Sequence, residues 1–112
     1  MRPIYKIVGL EEWRAAEAAG VFEGSAVDLA DGYIHFSEAG QLHETARKHF
    51  AGRDDLLLVT IDADRLDPQP VWEPSRGGAL FPHLYGPLPV SAAVEVRPLA
   101  VDVQASALSE FG

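Results

Sequence analysis

Runs of apolar residues along the chain predict a set of short strands separated by two helices. Residues 3–8, PIYKIV, form a β-rich run that ends at Gly9. Residues 55–62, DLLLVTID, are almost continuously apolar, which is typical of a central strand covered on both faces. Further strands are predicted at residues 33–37, 70–74 and 92–99. Because prolines flank the second of these segments, we expect it at an edge of its sheet.

Two segments carry apolar residues at helical spacing. In residues 10–20, LEEWRAAEAAG, an apolar face centres on Trp13, and Gly20 is placed to end the helix. In residues 38–50, EAGQLHETARKHF, apolar residues recur four positions apart, and Ser37 is placed to cap the first turn. The sequence therefore predicts two helices among the strands, and a connection at residues 21–32 that can hold a short turn of helix.

The order of these elements favours an α+β fold with a mostly antiparallel sheet, because strands and helices interleave without repeated βαβ units. A chain of 112 residues, of which 47% are hydrophobic, is long enough to bury a core. We predict a single domain over residues 1–112, in which residues 103–112 form a frayed tail.

The formal net charge is −8 at pH 7, and the chain has no cysteine. Negative charge argues against binding to bulk nucleic acid, which needs Lys and Arg to neutralise phosphates, and against anionic membrane surfaces. The lack of cysteine excludes a disulfide framework and thiolate metal sites. No secretory segment precedes the charged residues Glu11 and Glu12, and no apolar run approaches membrane-spanning length. We predict a cytoplasmic protein.

Two short segments carry the candidate chemistry. Tyr33, His35 and Ser37 alternate along the strand predicted at 33–37, so their side chains point to one face. That face can line a pocket or can simply meet solvent, and the strand alone leaves both interpretations open. The second segment is residues 77–89, GGALFPHLYGPLP.

This second segment contains one histidine, His83, among aromatic residues, glycines and prolines. If the segment is extended, Phe81, His83 and Tyr85 share one face. The prolines restrict the backbone, and rigid aromatic groups are what a stacking site for a flat ring uses. The alternative is a rigid packed corner in which a backbone carbonyl binds the His83 imidazole.

One carboxylate and two further histidines are also candidates for chemistry. Glu73 follows Trp72, and a carboxylate beside a tryptophan can be a catalytic acid or base or a solvated edge residue. His43 and His49 are six residues apart on the second predicted helix, a spacing that does not bring them to one face for a metal ion. Since no HExxH is present either, we predict no metal site. The absence of a GxGxxG and of a phosphate-binding loop excludes a dinucleotide cradle of the usual kind.

Several stretches together resemble a known bacterial family, the domain-of-unknown-function family 952. The resemblance covers residues 3–99 and rests on IYKI, DGYIHFS, DLLLVTID, VWE and LFPHLYGPLP. It implies an ADP-ribosyltransferase-like fold, a split and mostly antiparallel sheet with two helices and a cleft. Remote relatives in that fold bind NAD or take part in removing a 2′-phosphate from RNA. The resemblance therefore implies NAD as the cofactor to test.

The chain departs from two features of such transferases. They usually hold the nicotinamide ribose with a His or Arg on the first strand, where this chain has Tyr5 and Lys6. They usually carry a catalytic glutamate near a later strand, where this chain has His83 or Tyr85, and Glu73 lies several residues earlier. Because such a carboxylate stabilises transition-state charge, ordinary ADP-ribosyl transfer is not implied.

Two functional hypotheses follow, and they leave open whether the protein is an enzyme. In the first, a cleft binds a nucleotide-like ligand of the NAD or ADP-ribose type, as in a divergent transferase. An aromatic residue stacks a ring, histidines bind ribose hydroxyls, Lys6 meets a phosphate and Glu73 is the acid or base. In the alternative, the same residues form a non-catalytic module that binds a protein or peptide. The residues concerned are Tyr5, Lys6, Tyr33, His35, Ser37, Glu73, Phe81, His83 and Tyr85.

Overall fold

The computed structural model describes residues 1–75 and 78–102, together with the backbone of residues 108–110. Its helices are α1 (Leu10–Ala19), α2 (Ala26–Asp31) and α3 (Leu42–His49). Its strands are β1 (Pro3–Gly9), β2 (Val21–Phe22), β3 (Ile34–His35), β4 (Leu56–Asp62), β5 (Val71–Pro74), β6 (Leu80–Leu84), β7 (Leu88–Pro89), β8 (Ala93–Val101) and β9 (Leu108–Glu110). Among these residues no helix is long and apolar enough to cross a bilayer.

The strands form three antiparallel sheets, which confirms an α+β fold with mostly antiparallel pairing. The largest has the order β1-β4-β8-β9, the second has the order β3-β6-β5, and β2 pairs with β7. The prediction that residues 55–62 form a central strand is confirmed, because β4 pairs with β1 on one side and β8 on the other. The prediction of an edge strand at residues 70–74 is also confirmed, since β5 ends the second sheet.

One apolar core joins the two larger sheets and α1. It contains alternate residues of β1 and β4, the inward residues of β3 and β6, and Trp13 of α1. A second, smaller core packs α3 against the opposite face of β1 and β4. The space between the two larger sheets is therefore filled by buried side chains. Polar candidates on the second sheet must then lie on its other face.

The prediction of two helices was incomplete, because α2 is a third. Its first turn is closed by the backbone N–H of Ser25, which donates to Oδ2 of Asp28 at 2.9 Å. It ends at Gly32, whose φ of 87° is the left-handed conformation that glycine adopts without strain. Six residues are too few for a clear helical period, so the sequence indicated only a connection that could hold a short turn of helix.

Two further predictions about element ends need correction. Ser37 does not cap α3, because a short 3-10 turn at Ala39–Gln41 precedes the helix. The backbone N–H of Glu38 donates instead to the side chain of Gln41 at 2.9 Å. The tail predicted to be frayed contributes β9, which pairs with β8 at Leu99–Val101. The rest of that tail lies outside the described residues.

Candidate functional site

Four aromatic rings meet on the outer face of the second sheet, and we call them the aromatic–histidine cluster: Tyr33, His35, His83 and Tyr85. The pairing of β3 with β6 sets His35 opposite His83. Tyr33 stacks on His83, with ring centroids 4.1 Å apart and ring planes 27° apart. Tyr33 also contacts the rings of His35 and Tyr85 at 4.6 and 5.3 Å. The two imidazoles meet edge to face at 5.5 Å.

Glu73 of the neighbouring strand β5 joins the cluster through a single oxygen. Its Oε1 lies 2.8 Å from Nδ1 of His83 and accepts a hydrogen bond from the Tyr85 hydroxyl at 2.7 Å. The sheet register explains this contact, because Glu73 lies opposite Phe81 and therefore on the same sheet face as His83. Phe81 is half-buried on that face.

These hydrogen bonds shift the acidity of both partners of the Glu73–Tyr85 contact. The bond from the Tyr85 hydroxyl, followed by the bond to His83, holds the pKa of Glu73 below its usual value. The same carboxylate raises the pKa of Tyr85 to about 12, chiefly because the hydroxyl donates to it. Glu73 is therefore a carboxylate and Tyr85 a neutral donor at neutral pH.

His83 is buried, and its two ring nitrogens have different surroundings. The side chain is only 3% exposed, although it lies on an outer sheet face, because the neighbouring rings cover it. Nδ1 faces the Glu73 carboxylate, which only accepts hydrogen bonds, so this nitrogen carries a proton. Nε2 is buried and has no hydrogen-bond partner among the described residues. In the neutral ring, Nε2 is thus an unused acceptor.

A second carboxylate, Asp28 of α2, lies beneath the cluster. Its Oδ1 is 2.6 Å from Nδ1 of His35 and also accepts the His35 backbone N–H at 3.1 Å. The ammonium of Lys6 lies 2.9 Å from its Oδ2. Burial favours the neutral acid, but the bond with His35 and the charge of Lys6 outweigh it and hold the pKa of Asp28 well below its usual range. Burial lowers the pKa of Lys6 against the attraction of Asp28.

His35 lies between two carboxylates. Its Nε2 is 2.9 Å from Oδ2 of Asp31, in addition to the contact of Nδ1 with Asp28. Both ring nitrogens face acceptors, an arrangement that only the doubly protonated ring satisfies with two donors. Partial burial, followed by the charges of Asp31 and Glu73, raises the pKa of Tyr33, so its phenol is neutral. The carboxylates of Asp31 and Glu73 lie at the outer rim of the cluster.

The structure separates two neighbouring residues that the sequence analysis grouped together. Lys6 points from β1 into the first core and reaches the cluster only from beneath, where it donates to Asp28 and to the backbone oxygen of His35 at 2.9 Å. Tyr5 points the opposite way and packs against the second core. Adjacent residues of a strand lie on opposite faces, so both could not face one site.

Ser37 also lies apart from the cluster. The strand β3 ends at His35, and Ser37 pairs with Tyr5 through two backbone hydrogen bonds of 2.8 Å. Its hydroxyl is buried and lies 3.0 Å from that of Thr45 on α3. The predicted alternation holds for Tyr33 and His35 but fails at Ser37, because the backbone changes sheets there.

Sequence reasoning missed Asp28 and Asp31. The spacing Ser25-x-x-Asp28 is a known helix-start pattern and could have indicated α2. Nothing local shows that the same carboxylate also binds Lys6 and His35, which are far apart in sequence. Asp31 lies four residues before His35, across the helix end, a spacing that has no fixed geometry in a turn.

A depression of about 360 Å³ adjoins the cluster at Tyr33 and Asp28. It is lined by Glu23, Asp28, Leu29, Gly32, Tyr33, Ile34, Leu84, Gly86 and Pro87. This volume is at the lower end of the range for small-molecule sites. Neither histidine of the cluster lines it. Within the described ranges, no three His, Asp or Glu side chains are placed to hold a metal ion.

Comparison with known proteins gives a family and a fold. The family described as "Protein of unknown function (DUF952)" matches residues 7–96. The crystal structure of protein CC0527 from Caulobacter crescentus has a TM-score of 0.86 at 51% identity, covering 92% of this chain and 90% of that one. The solution NMR structure of CC0527 has a TM-score of 0.81 at 51% identity and covers 94% and 90%. No curated protein matches the chain.

Proposed function

The chain belongs to the DUF952 family of proteins of unknown function, and we propose that its aromatic–histidine cluster binds a nucleotide-like ligand of the NAD or ADP-ribose type. The proposal is carried by the convergence of two accessible tyrosine rings on imidazoles that carboxylates hold in place. Tyr85 is 49% exposed and Tyr33 is half-buried, so each can offer a ring face or edge to a planar group.

The charges of the site favour the nucleoside part of such a ligand over its phosphates. Lys6, the cation expected to meet a phosphate, is 7% exposed and already paired with Asp28. Asp31 and Glu73 add negative charge at the rim. A phosphate would be repelled there, whereas the cationic nicotinamide ring of NAD combines an aromatic face with a compensating charge. We propose that the ring and its ribose bind at the cluster and that the phosphates extend into solvent.

The relation to ADP-ribosyltransferases is part of this proposal. Two antiparallel sheets around one core are compatible with that fold, although the ligand would bind on an outer sheet face instead of between the sheets. A transfer reaction of this class needs a carboxylate beside the ribose to stabilise positive charge. Glu73 is the carboxylate placed for that role, because it is one-third exposed and remains ionised.

Calorimetric titration tests the proposed function. NAD, ADP-ribose and a 2′-phosphorylated nucleotide are each titrated into the wild-type protein and into His83→Gln. The matched control is His43→Gln, which changes an exposed histidine on α3 away from the cluster. We expect NAD to bind most tightly, His83→Gln to weaken it, and His43→Gln to bind as wild type. Absence of heat with all three ligands, or equal binding by both variants, would overturn the proposal.

A second candidate function is favoured by apolar exposure on the same face. Val71, which lies opposite His83, is 46% exposed, and Tyr85 is 49% exposed beside it. Exposed apolar side chains grouped on one sheet face can form a protein- or peptide-binding surface. In that case Val71→Asp abolishes capture of a partner from cell lysate but leaves NAD binding intact. If capture is unaffected, this second function is excluded for this face.

A further inference from the structure

The buried Nε2 of His83 has no hydrogen-bond partner in the part of the chain that the structure describes. Buried polar atoms nearly always have partners, and an exception calls for a specific explanation. Here Glu73, which itself accepts the Tyr85 hydroxyl, fixes the ring through Nδ1, so Nε2 is held in one orientation without bonding to any described residue. A carboxylate that fixes one imidazole nitrogen leaves the other ready to accept a proton or a hydrogen bond.

Tyr33 covers one face of the His83 ring. Its ring lies 4.1 Å from the imidazole and nearly parallel to it. Ring contacts hold it in place, and among the described residues its hydroxyl makes no hydrogen bond that would lock it. It follows Gly32, whose φ is 87°, at the turn between α2 and β3. Tyr33 also borders the 360 Å³ depression, which offers the ring space on that side.

We propose that Tyr33 is a displaceable cover, and that a ligand ring takes its stacking position on His83 while a ribose hydroxyl donates to Nε2. This inference rests on the proposed function. It adds that the site selects a nucleoside over a free base or a free sugar. A group stacked on the face of an imidazole cannot also reach the nitrogen in the ring plane. The stacking ring must therefore carry a second, pendant donor, as the base of a nucleoside carries its ribose.

Ligand recognition at this site then requires two parts. A free base supplies the stacking ring but no hydroxyl, and a free sugar supplies the hydroxyl but no ring. A polar group built to accept a hydrogen bond discriminates strongly against a ligand that lacks the donor, because the acceptor then stays buried and unpaired. His83 is on this basis the residue that selects nucleosides, and Glu73 is a positioning residue for it.

Chemical modification tests the cover without any ligand. Diethyl pyrocarbonate modifies accessible, unprotonated imidazole nitrogens, and peptide mass spectrometry resolves the rate at His83. We expect Tyr33→Ala to raise the modification rate at His83 about fivefold. Loss of one aromatic pair contact changes the population of the uncovered His83 ring by about that factor. Tyr33→Phe keeps the ring, so its modification rate at His83 should match that of wild type. Tyr5→Phe, which lies at the second core away from the cluster, should match it as well. Equal rates at His83 in Tyr33→Ala and wild type would overturn the cover, provided that amide spectra show both folded.

NMR with NAD as the probe tests the ligand half. We expect nuclear Overhauser contacts between ligand ring protons and the His83 ring, a change in the ¹⁵N shift of His83 Nε2, and loss of the Tyr33–His83 ring contacts. If NAD binds but contacts only the outer edge of Tyr33 and leaves Nε2 unchanged, the inference is wrong and the proposed function stands. If NAD does not bind at all, the proposed function fails, and the ligand half of the inference fails with it.

Discussion

The ammonium of Lys6 lies 2.9 Å from Oδ2 of Asp28, and both side chains are almost fully excluded from solvent, with exposed fractions of 7% and 1%. This ion pair joins β1 to α2 and supports His35 from beneath, because Asp28 also binds the His35 ring and backbone. Removing one partner of a buried pair leaves the other charge unpaired. The position of the cluster therefore depends on a contact between two elements far apart in sequence.

We expect Asp28→Asn and Lys6→Met each to lower the free energy of unfolding by about 3–5 kcal/mol, since each leaves a buried charge without its partner. The double variant should lose less than the sum of the two single changes. Urea denaturation of the four proteins measures the coupling. Glu44→Gln is the matched control, because its pair with Lys48 is exposed, and it should be nearly neutral. Additive effects of the two buried changes would contradict a direct pair.

The stability should depend on pH through Asp28. Its pKa is lowered in the folded protein relative to the ordinary value of 3.8, so the unfolded chain binds this proton more readily. The contribution is therefore complete above that ordinary value and is lost as the pH falls below it. Unfolding free energies are measured for wild type and Asp28→Asn at a series of pH values. At neutral pH the wild type should be the more stable of the two. The two curves should converge in acid, and a constant difference would show that Asp28 is not the group responsible.

Tyr85 should titrate far above an ordinary tyrosine. Its pKa of about 12 reflects, first of all, the hydrogen bond to Glu73. Glu73→Ala removes that bond and should bring the Tyr85 pKa back toward 10. Ultraviolet titration of tyrosinate follows the change, and Tyr85→Phe identifies which of the transitions belongs to this residue. A Tyr85 pKa that is the same with and without the Glu73 carboxylate would mean that the two groups are not bonded in solution.

Ser37 and Tyr5 should behave as structural residues. Ser37→Ala removes the hydroxyl bond to Thr45 and should cost about 1 kcal/mol of unfolding free energy. Tyr5→Phe changes only the rim of the second core. Because neither side chain lies in the cluster, NAD should bind both variants as tightly as wild type. Weaker binding by Ser37→Ala, with the fold intact, would return that serine to the site.

The sequence predicted the parts of the fold that depend on local pattern. The nearly continuous apolar run at residues 55–62 predicted a central, doubly covered strand, and the prolines around Trp72 predicted an edge strand. Alternation correctly placed the side chains of Tyr33 and His35 on one face of the sheet. These are short-range relations that strand geometry enforces.

Long-range pairing decided what the sequence missed. Alternation within residues 33–37 assumed one continuous strand, but backbone pairing with Tyr5 draws Ser37 into the other sheet. Lys6 and Tyr5 were grouped by proximity in sequence, although adjacent strand residues face opposite cores. Asp28 lies on a helix of six residues, too short for periodicity to show, and its partners come from β1 and β3.

The most direct test of the central claim is a two-dimensional amide NMR titration of the wild-type protein with NAD. We expect shifts concentrated at Tyr33, His35, Glu73, His83 and Tyr85, with Tyr5, Ser37 and α3 unchanged. Shifts confined to any other surface, or no shifts at millimolar NAD, would contradict the claim that the aromatic–histidine cluster binds a nucleotide-like ligand.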